Sequence, residues 1–374
     1  FVSFLVWRVF LLIIPILAAQ IIPFRRDFAY ASPTFYTKNS FVRADSVLTP
    51  WANFDGVHYL AIAANGYHTE GRFFPFYPLI LKIGTASAPY FSTLQIVLSF
   101  VISQGIFFLA LLFLYVLVRK DFSESQAKSA VVACLLFPTS LFFVSMYSEG
   151  TFLLLSLVSF YCARQRKWWL AAFCGMLLSA TRLVGIFILP ALLLEFYVQY
   201  KEQRVSVKKM LPLFIIPIGI FLFSFYNYLT WGDALYFLHA QSDVQNGRAV
   251  ESIVNPVRTV FRYGRILTSI SPRLYEWWVS LLELGSFFGG AVLFLICRNK
   301  QIRASYLFFG GLCFLLPVLS GNFTGLPRYL LAVFPCFFLF GIMEPRKIKI
   351  ILSILSIILT ILLVAAFSRG YFIA

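Results

Sequence analysis

The feature that most constrains this chain is a succession of apolar runs, recurring from end to end, each long enough alone or as a hairpin pair to cross a hydrocarbon core of about 30 Å. Of its 374 residues 60 % are hydrophobic and only 12 % are charged, whereas soluble domains are about a quarter charged. No polar stretch is long enough for a separate soluble domain. The sequence therefore predicts an all-α polytopic integral membrane protein, with residues 1–374 as one membrane domain.

The runs place crossings at 4–24, 92–118, 129–145, 149–164, 168–181, 184–199, 210–230, 277–297, 304–320, 328–343 and 348–367. That is about 11 helices, within a range of 9–13. The short spans within 129–164 and 168–199 have a second reading as re-entrant pairs, because Pro138 and Gly185 interrupt them and such breaks are tolerated inside a protein bundle. The first run, with Arg8 inside it, is expected to be a retained crossing rather than a signal segment.

Sixteen of the 31 basic residues sit in five short connectors, at 119–128, 163–167, 200–209, 297–303 and 344–349. Cytoplasmic loops collect Lys and Arg, so these connectors are assigned to the cytoplasm. Much of the net charge of +16 then follows from topology, and a nucleic-acid partner is excluded. The opposite side holds 14 basic and nine acidic residues, the acids being Asp27, Asp45, Asp55, Glu70, Glu149, Asp233, Asp243, Glu251 and Glu276. That surplus suits anionic membrane lipids.

The six cysteines all fall within or beside crossings, which gives no disulfide framework and no CxxC metal pattern. Nearly all polar sequence beyond short turns lies in two extracytoplasmic loops, 25–91 and 231–276. Chemistry is expected there. No GxGxxG or GxxxxGK[ST] motif serves a cytosolic nucleotide.

Within the first loop, "FDGVHYLAIAANGYHTEGRFFPFYP" (54–78) stands out. Val57, Leu60, Ile62 and Ala63, with polar Asp55, His58 and Asn65, fit a short amphipathic surface helix stopped by "NGY". Asp55 falls in its first turn, where an acid either caps the helix or serves as a general base. The segment "RFFPFYPLILKI" (72–83) follows with rings and prolines that fix the backbone and anchor it at the interface. His58, three residues after Asp55, shares its face. Glu149, in the turn "MYSEGTF", has no cation within four residues. Glu283 is intramembrane and is expected to pair with Arg8 or another helix. The sequon "NFT" (322–324) is placed in an outer turn.

"FDGVHYLAIAANGY" with "FFPFYPLI", then "FPTSLFFVSMYSEGTFLLLSLVSFY" (137–161), "ATRLVGIFILP" (180–190), "LPRYLLAVFP" (326–335) and the terminal "FSRGYFIA" together resemble the PIG-V family, the GPI mannosyltransferase 2 group and its bacterial relatives. The resemblance implies a GT-C-type helical bundle with amphipathic surface helices in the first outer loop. It implies a glycosyltransferase that takes a sugar, mannose in the eukaryotic family, from a polyprenyl-phosphate donor on the extracytoplasmic or lumenal side, with Asp55 as the catalytic aspartate. One departure is visible: Phe54 stands where the family usually has Trp, which keeps a ring and loses an indole donor.

Such a transfer with inversion needs a base for the acceptor hydroxyl and a stabiliser for the leaving phosphate. Asp55 is the base. Arg328, Tyr329 and Arg182 are the expected donor-phosphate contacts, since the guanidinium fork binds two oxygens and charges at cavity edges in membranes are costly. His58, Glu149, Phe54 and Tyr77 are the expected substrate contacts. With no DxD or ExD motif and no metal-ligand spacing in the outer loops, catalysis is expected without metal or other cofactor. The acceptor is a lipid or glycan, and a prokaryotic plasma membrane is the expected home, or the ER in a eukaryote. The rival class is a lipid or sugar-lipid transporter or flippase without catalysis, which would more naturally show inverted repeats; none is found. A hydrolase or acyltransferase would want a Ser/His/Asp set or an HxxxxD pair, and neither stands out.

Overall fold

The computed structural model describes residues 2–25, 47–68, 70–203, 206–242, 253–298, 300, 302–344 and 346–373. Among them the structure is helical, with no strand. Asp27, Asp45, Asp243 and Glu251 lie outside the described residues, as does part of each long loop.

In chain order the helices are α1 (Val2–Ile21), α2 (Asp55–Asn65), α3 (Phe76–Gly84), α4 (Thr93–Val118), α5 (Glu124–Leu136) and α6 (Leu141–Val144). Next come α7 (Glu149–Arg164), α8 (Trp168–Ser179), α9 (Ile188–Gln203), α10 (Ile218–Trp231), α11 (Tyr236–Ser242) and α12 (Pro256–Ser269). The last are α13 (Tyr275–Arg298), α14 (Ala304–Leu319), α15 (Leu326–Tyr329), α16 (Pro335–Ile342) and α17 (Arg346–Ser368). Short 3₁₀ turns at Leu183–Phe187 and Val207–Ile215 lead into α9 and α10.

Among the described residues six helical segments are long and apolar enough to cross a membrane: Val2–Ile21, Thr93–Val118, Leu183–Glu202, Val207–Trp231, Tyr275–Arg298 and Arg346–Ser368. The chain is a multi-pass membrane protein. The remaining expected crossings are shorter helices or broken ones. Residues 129–145 become α5, a turn at Phe137–Ser140 and α6, while 328–343 pass through α15, a 3₁₀ turn and α16.

Local sequence explains the breaks and starts. Ser92 accepts from the Gln95 N–H at 3.1 Å to open α4, and Ser123 with Gln126 forms a reciprocal capping box at α5. Gly185 lies in the 3₁₀ turn before α9, where a Cβ would sit 2.2 Å from the Leu178 carbonyl oxygen, so no larger residue fits that turn.

By internal contacts the chain forms two compact units, Phe1–Leu154 with Phe340–Ile373, and Leu155–Leu339. The first is built on α1, α4, α5 and α17, with α2 and α3 enclosed by Phe73, Tyr77, Leu81, Phe91, Ile96 and Met146. The second packs α14 on α9 and α13 on α12, α14 and α15. Within it Glu195 on α9 is fully buried. Its carboxylate accepts from Arg303 Nε at 2.6 Å, Ser305 Oγ at 2.7 Å and Gln199 Nε2 at 2.7 Å, and Arg164 Nε lies 3.8 Å away.

Candidate active site

The loop ahead of α2 is fixed from several directions within the first unit. A 3₁₀ turn at Thr49–Ala52 starts with Pro50 near its head, and the buried Trp51 carbonyl accepts from the Met146 N–H at 2.8 Å. The Arg8 guanidinium lies 3.9 Å over the Trp51 ring and 4.8 Å from Phe100. Its three nitrogens are buried without a hydrogen-bond partner among the described residues, so its partners here are rings. Asn53 Nδ2 donates to the Phe367 carbonyl at 3.0 Å.

Tyr147 ties this loop to Asp55. Its hydroxyl donates to the Asn53 carbonyl at 2.8 Å and accepts from the Asp55 N–H at 3.2 Å. One hydroxyl therefore satisfies a backbone group on each side of Phe54, including one of the four N–H groups a helix start leaves open. Phe54 has φ 57° and ψ −115°, a region that costs a bulky residue about 1–3 kcal/mol and recurs at functional sites. Its ring is held by Phe367 and Phe372, at 5.5 and 5.7 Å between centroids. The terminal motif thus serves as a strap on the catalytic-loop candidate.

Asp55 opens α2 half-buried, and Phe54 rather than Asp55 occupies the N-cap position. Gly66, at φ 81°, closes the helix. Along α2, buried His58 stacks on Phe73 at 4.8 Å, and Arg72 Nη2 lies 3.5 Å from its Nε2. Burial first, and Arg72 second, push the imidazole down to about 4, against the pull of Asp55 and Glu70. His58 is therefore neutral at pH 7, next to a cation and within electrostatic range of two carboxylates. Tyr59 Oη donates to Ser148 Oγ at 2.9 Å, joining α2 to the turn before α7.

Tyr77 is fully buried. Its hydroxyl meets Ser103 Oγ at 2.9 Å, and that Oγ donates to the Ser99 carbonyl, so Tyr77 is the donor to Ser103. Burial pushes its phenol up. The structure thus places Tyr77 as a core ring, 5.0 Å edge-to-face from Tyr59 and in the same apolar cluster as Phe73. Glu149 begins α7 and is buried, where a carboxylate complements the helix dipole. Asp55, His58, Phe54, Tyr77 and Glu149 all belong to the first unit.

Arg182, Arg328 and Tyr329 belong to the second, each half-buried. The Arg182 guanidinium lies 5.1 Å from the Tyr329 ring centre, and Arg328 sits on α15 after Gly325, which takes the left-handed φ of 77°. Glu283 accepts from Tyr263 Oη at 2.6 Å. Asn322 of the sequon is buried, with Oδ1 2.9 Å from Tyr263 Oη and 2.8 Å from Thr324 Oγ1, so its amide is part of the packed interior. Among the described residues no group of three His, Cys, Asp or Glu side chains could hold a metal ion.

Sequence reasoning overlooked Tyr147, Asn53 and Arg72. Tyr147 lay inside "MYSEGTF" and Arg72 headed "RFFPFYP", so both motifs were in view without the contacts that give these residues meaning.

A strained turn thus sets a half-buried aspartate at the head of the helix that carries a neutral imidazole, with a guanidinium 3.5 Å from that imidazole, in a multi-pass helical protein. The model of the mannosyltransferase (PIG-V) family matches residues 1–234, well over half of the chain, and the chain belongs to that family. No curated protein matches it.

Proposed function

We propose that this mannosyltransferase-family protein transfers mannose from a polyprenyl-phosphate carrier to a lipid or glycan acceptor on the extracytoplasmic face, in a GT-C-type enzyme of a prokaryotic plasma membrane. Asp55 takes the proton of the acceptor hydroxyl as that oxygen bonds to the sugar's anomeric carbon from the face opposite the phosphate. The bond from that carbon to the phosphate oxygen breaks, and the electron pair leaves with the carrier phosphate. Configuration inverts, and no metal takes part.

The observation that carries this reading is the half-buried Asp55 carboxylate on a backbone locked by Tyr147, a preorganised base of the kind proton abstraction needs. Arg328, Tyr329 and Arg182 are the proposed donor-phosphate contacts, and the Arg182–Tyr329 stacking supports two of them acting as a pair. Arg72, 3.5 Å from His58 within the first unit, is a further candidate. His58, Glu149 and Phe54 shape the surroundings of the reacting sugar, and Tyr77 supports them from the core.

The test is transfer of labelled mannose from polyprenyl-phosphate mannose to a lipid extract by purified protein with EDTA present, comparing wild type with Asp55→Asn. Transfer that survives EDTA and vanishes in the folded variant is expected. Undiminished transfer by the variant overturns the base, and loss of wild-type transfer in EDTA overturns the metal-free mechanism.

A further inference from the structure

The second unit carries a helix whose chemistry sugar transfer leaves unexplained. At about 3.6 residues per turn, α12 divides into three sectors. One buries Thr259 and Tyr263 against the unit, and Tyr263 is anchored to Glu283 on α13. A second exposes Val257 and Phe261, the latter 70 % accessible. The third exposes Arg258, Arg262 and Arg265.

The arginine sector is unfavourable on its own terms. Spacings of four and three place like charges next to one another on a helix, and Arg258 stands in the first turn, where the helix dipole disfavours a cation. No acid occurs between Ser252 and Tyr275 to offset them, and no ion pair reaches these three arginines among the described residues. Residues that break local rules together point to a partner outside the fold.

The position of the helix identifies that partner. Trp277 Nε1 donates to the Leu267 carbonyl at 2.9 Å, and Trp278 Nε1 to Pro272 at 3.0 Å. The end of α12 is therefore held at the tryptophan-bearing start of α13, the depth at which aromatic belts meet lipid headgroups. Glu283 lies only about 12 Å further along α13. The basic connector Arg298, Lys300 and Arg303 is at the other end of α13, so α12 sits where few basic residues are expected from topology. We propose that α12 is an interfacial docking helix for anionic phospholipid, with Phe261 and Val257 seated among acyl chains and Arg258, Arg262 and Arg265 on headgroup phosphates.

This does not depend on the proposed sugar transfer, and its test measures lipid alone. Full-length protein in detergent is titrated with phosphatidylglycerol or phosphatidylcholine, and bound lipid is counted by native mass spectrometry. Each arginine near an anionic surface is worth a factor of about five. Wild type is therefore expected to prefer phosphatidylglycerol, and R258Q/R262Q/R265Q to lose the preference by about tenfold or more. R262Q alone loses about fivefold, and K208Q/K209Q in the opposite connector loses none. Phe261→Gln weakens retention of both lipids. A triple variant that is folded and keeps its preference overturns the proposal, as does a wild type with no preference. Displacement of phosphatidylglycerol by millimolar inorganic phosphate also overturns it, since the stripe would then be a site for free phosphate.

Discussion

Tyr147→Phe removes one oxygen and leaves the ring contacts to Phe142, Phe367 and Tyr59, at 5.4, 6.2 and 6.5 Å between centroids. The loss falls on the hydroxyl's hydrogen bonds to Asn53 and Asp55. The Asn53 carbonyl loses the shorter of two donors and keeps the Gly56 N–H at 3.3 Å, at a cost of about 1 kcal/mol. The Asp55 N–H belongs to a half-buried residue that water can partly serve, so its loss adds about 1 kcal/mol. Together these give about 2 kcal/mol, concentrated on the turn that carries Phe54 in its strained conformation. Hydrogen exchange at the Asp55 amide should speed up by about 30-fold, since 1.4 kcal/mol is about a factor of ten. Amides in the middle of α4 should be unaffected. If Asp55 is the base, mannose transfer by the variant falls chiefly in kcat, because a misplaced base weakens the transition state more than substrate binding. Unchanged exchange at residues 53–56 would refute the locking role of Tyr147. Altered exchange with unchanged kcat would refute the link between this turn and catalysis.

His58 gives a pH signature: with its folded value pushed down to about 4 from the ordinary 6.5, the unfolded chain binds the extra proton between those limits. Stability therefore falls as pH drops from 6.5 to 4, by about 3 kcal/mol in all, and thermal melts of His58→Gln should lack that slope. In the second unit, Glu195→Ala leaves Arg303 and Arg164 without the buried carboxylate and should cost about 3–5 kcal/mol, read as a large drop in melting temperature. Gly185→Ala forces a methyl group toward the Leu178 carbonyl and should cost about 1–3 kcal/mol or more, with the melting temperature again as the readout.

The sequence made the membrane-spanning plan legible where apolar runs are long, because lipid gives an unpaired backbone nowhere to go. It was least informative where Pro138, Pro327 and Pro335 cut such runs into pieces, since only tertiary packing decides what a broken run becomes. The start of α2 at Asp55 and its end at Gly66 follow from local pattern and turn chemistry. What holds Asp55 in place does not, because Tyr147 is 92 residues away and the Asn53–Phe367 bond spans 314. Likewise nothing in the sequence singles out Arg72 among the 14 basic residues assigned to its side, and only the 3.5 Å approach to His58 gives it a role to test.

Charge placement separates the two kinds of residue more sharply than motif does. Glu195, which in the sequence looks like any acid near the end of a span, is fully buried and answered by Arg303, Ser305 and Gln199, so the fold accounts for it completely. A carboxylate of that kind belongs to an internal joint, with both oxygens already hydrogen-bonded. Asp55 differs in kind: its backbone is held by Tyr147 next to the strained Phe54, while the residue is only half-buried and lies within electrostatic range of a neutral imidazole. The arginines of α12 differ in the same sense, gathered against local electrostatics on a face that the unit leaves uncovered. In a chain with so few charges, those set on strained turns or gathered on uncovered faces are where substrate and lipid should be sought.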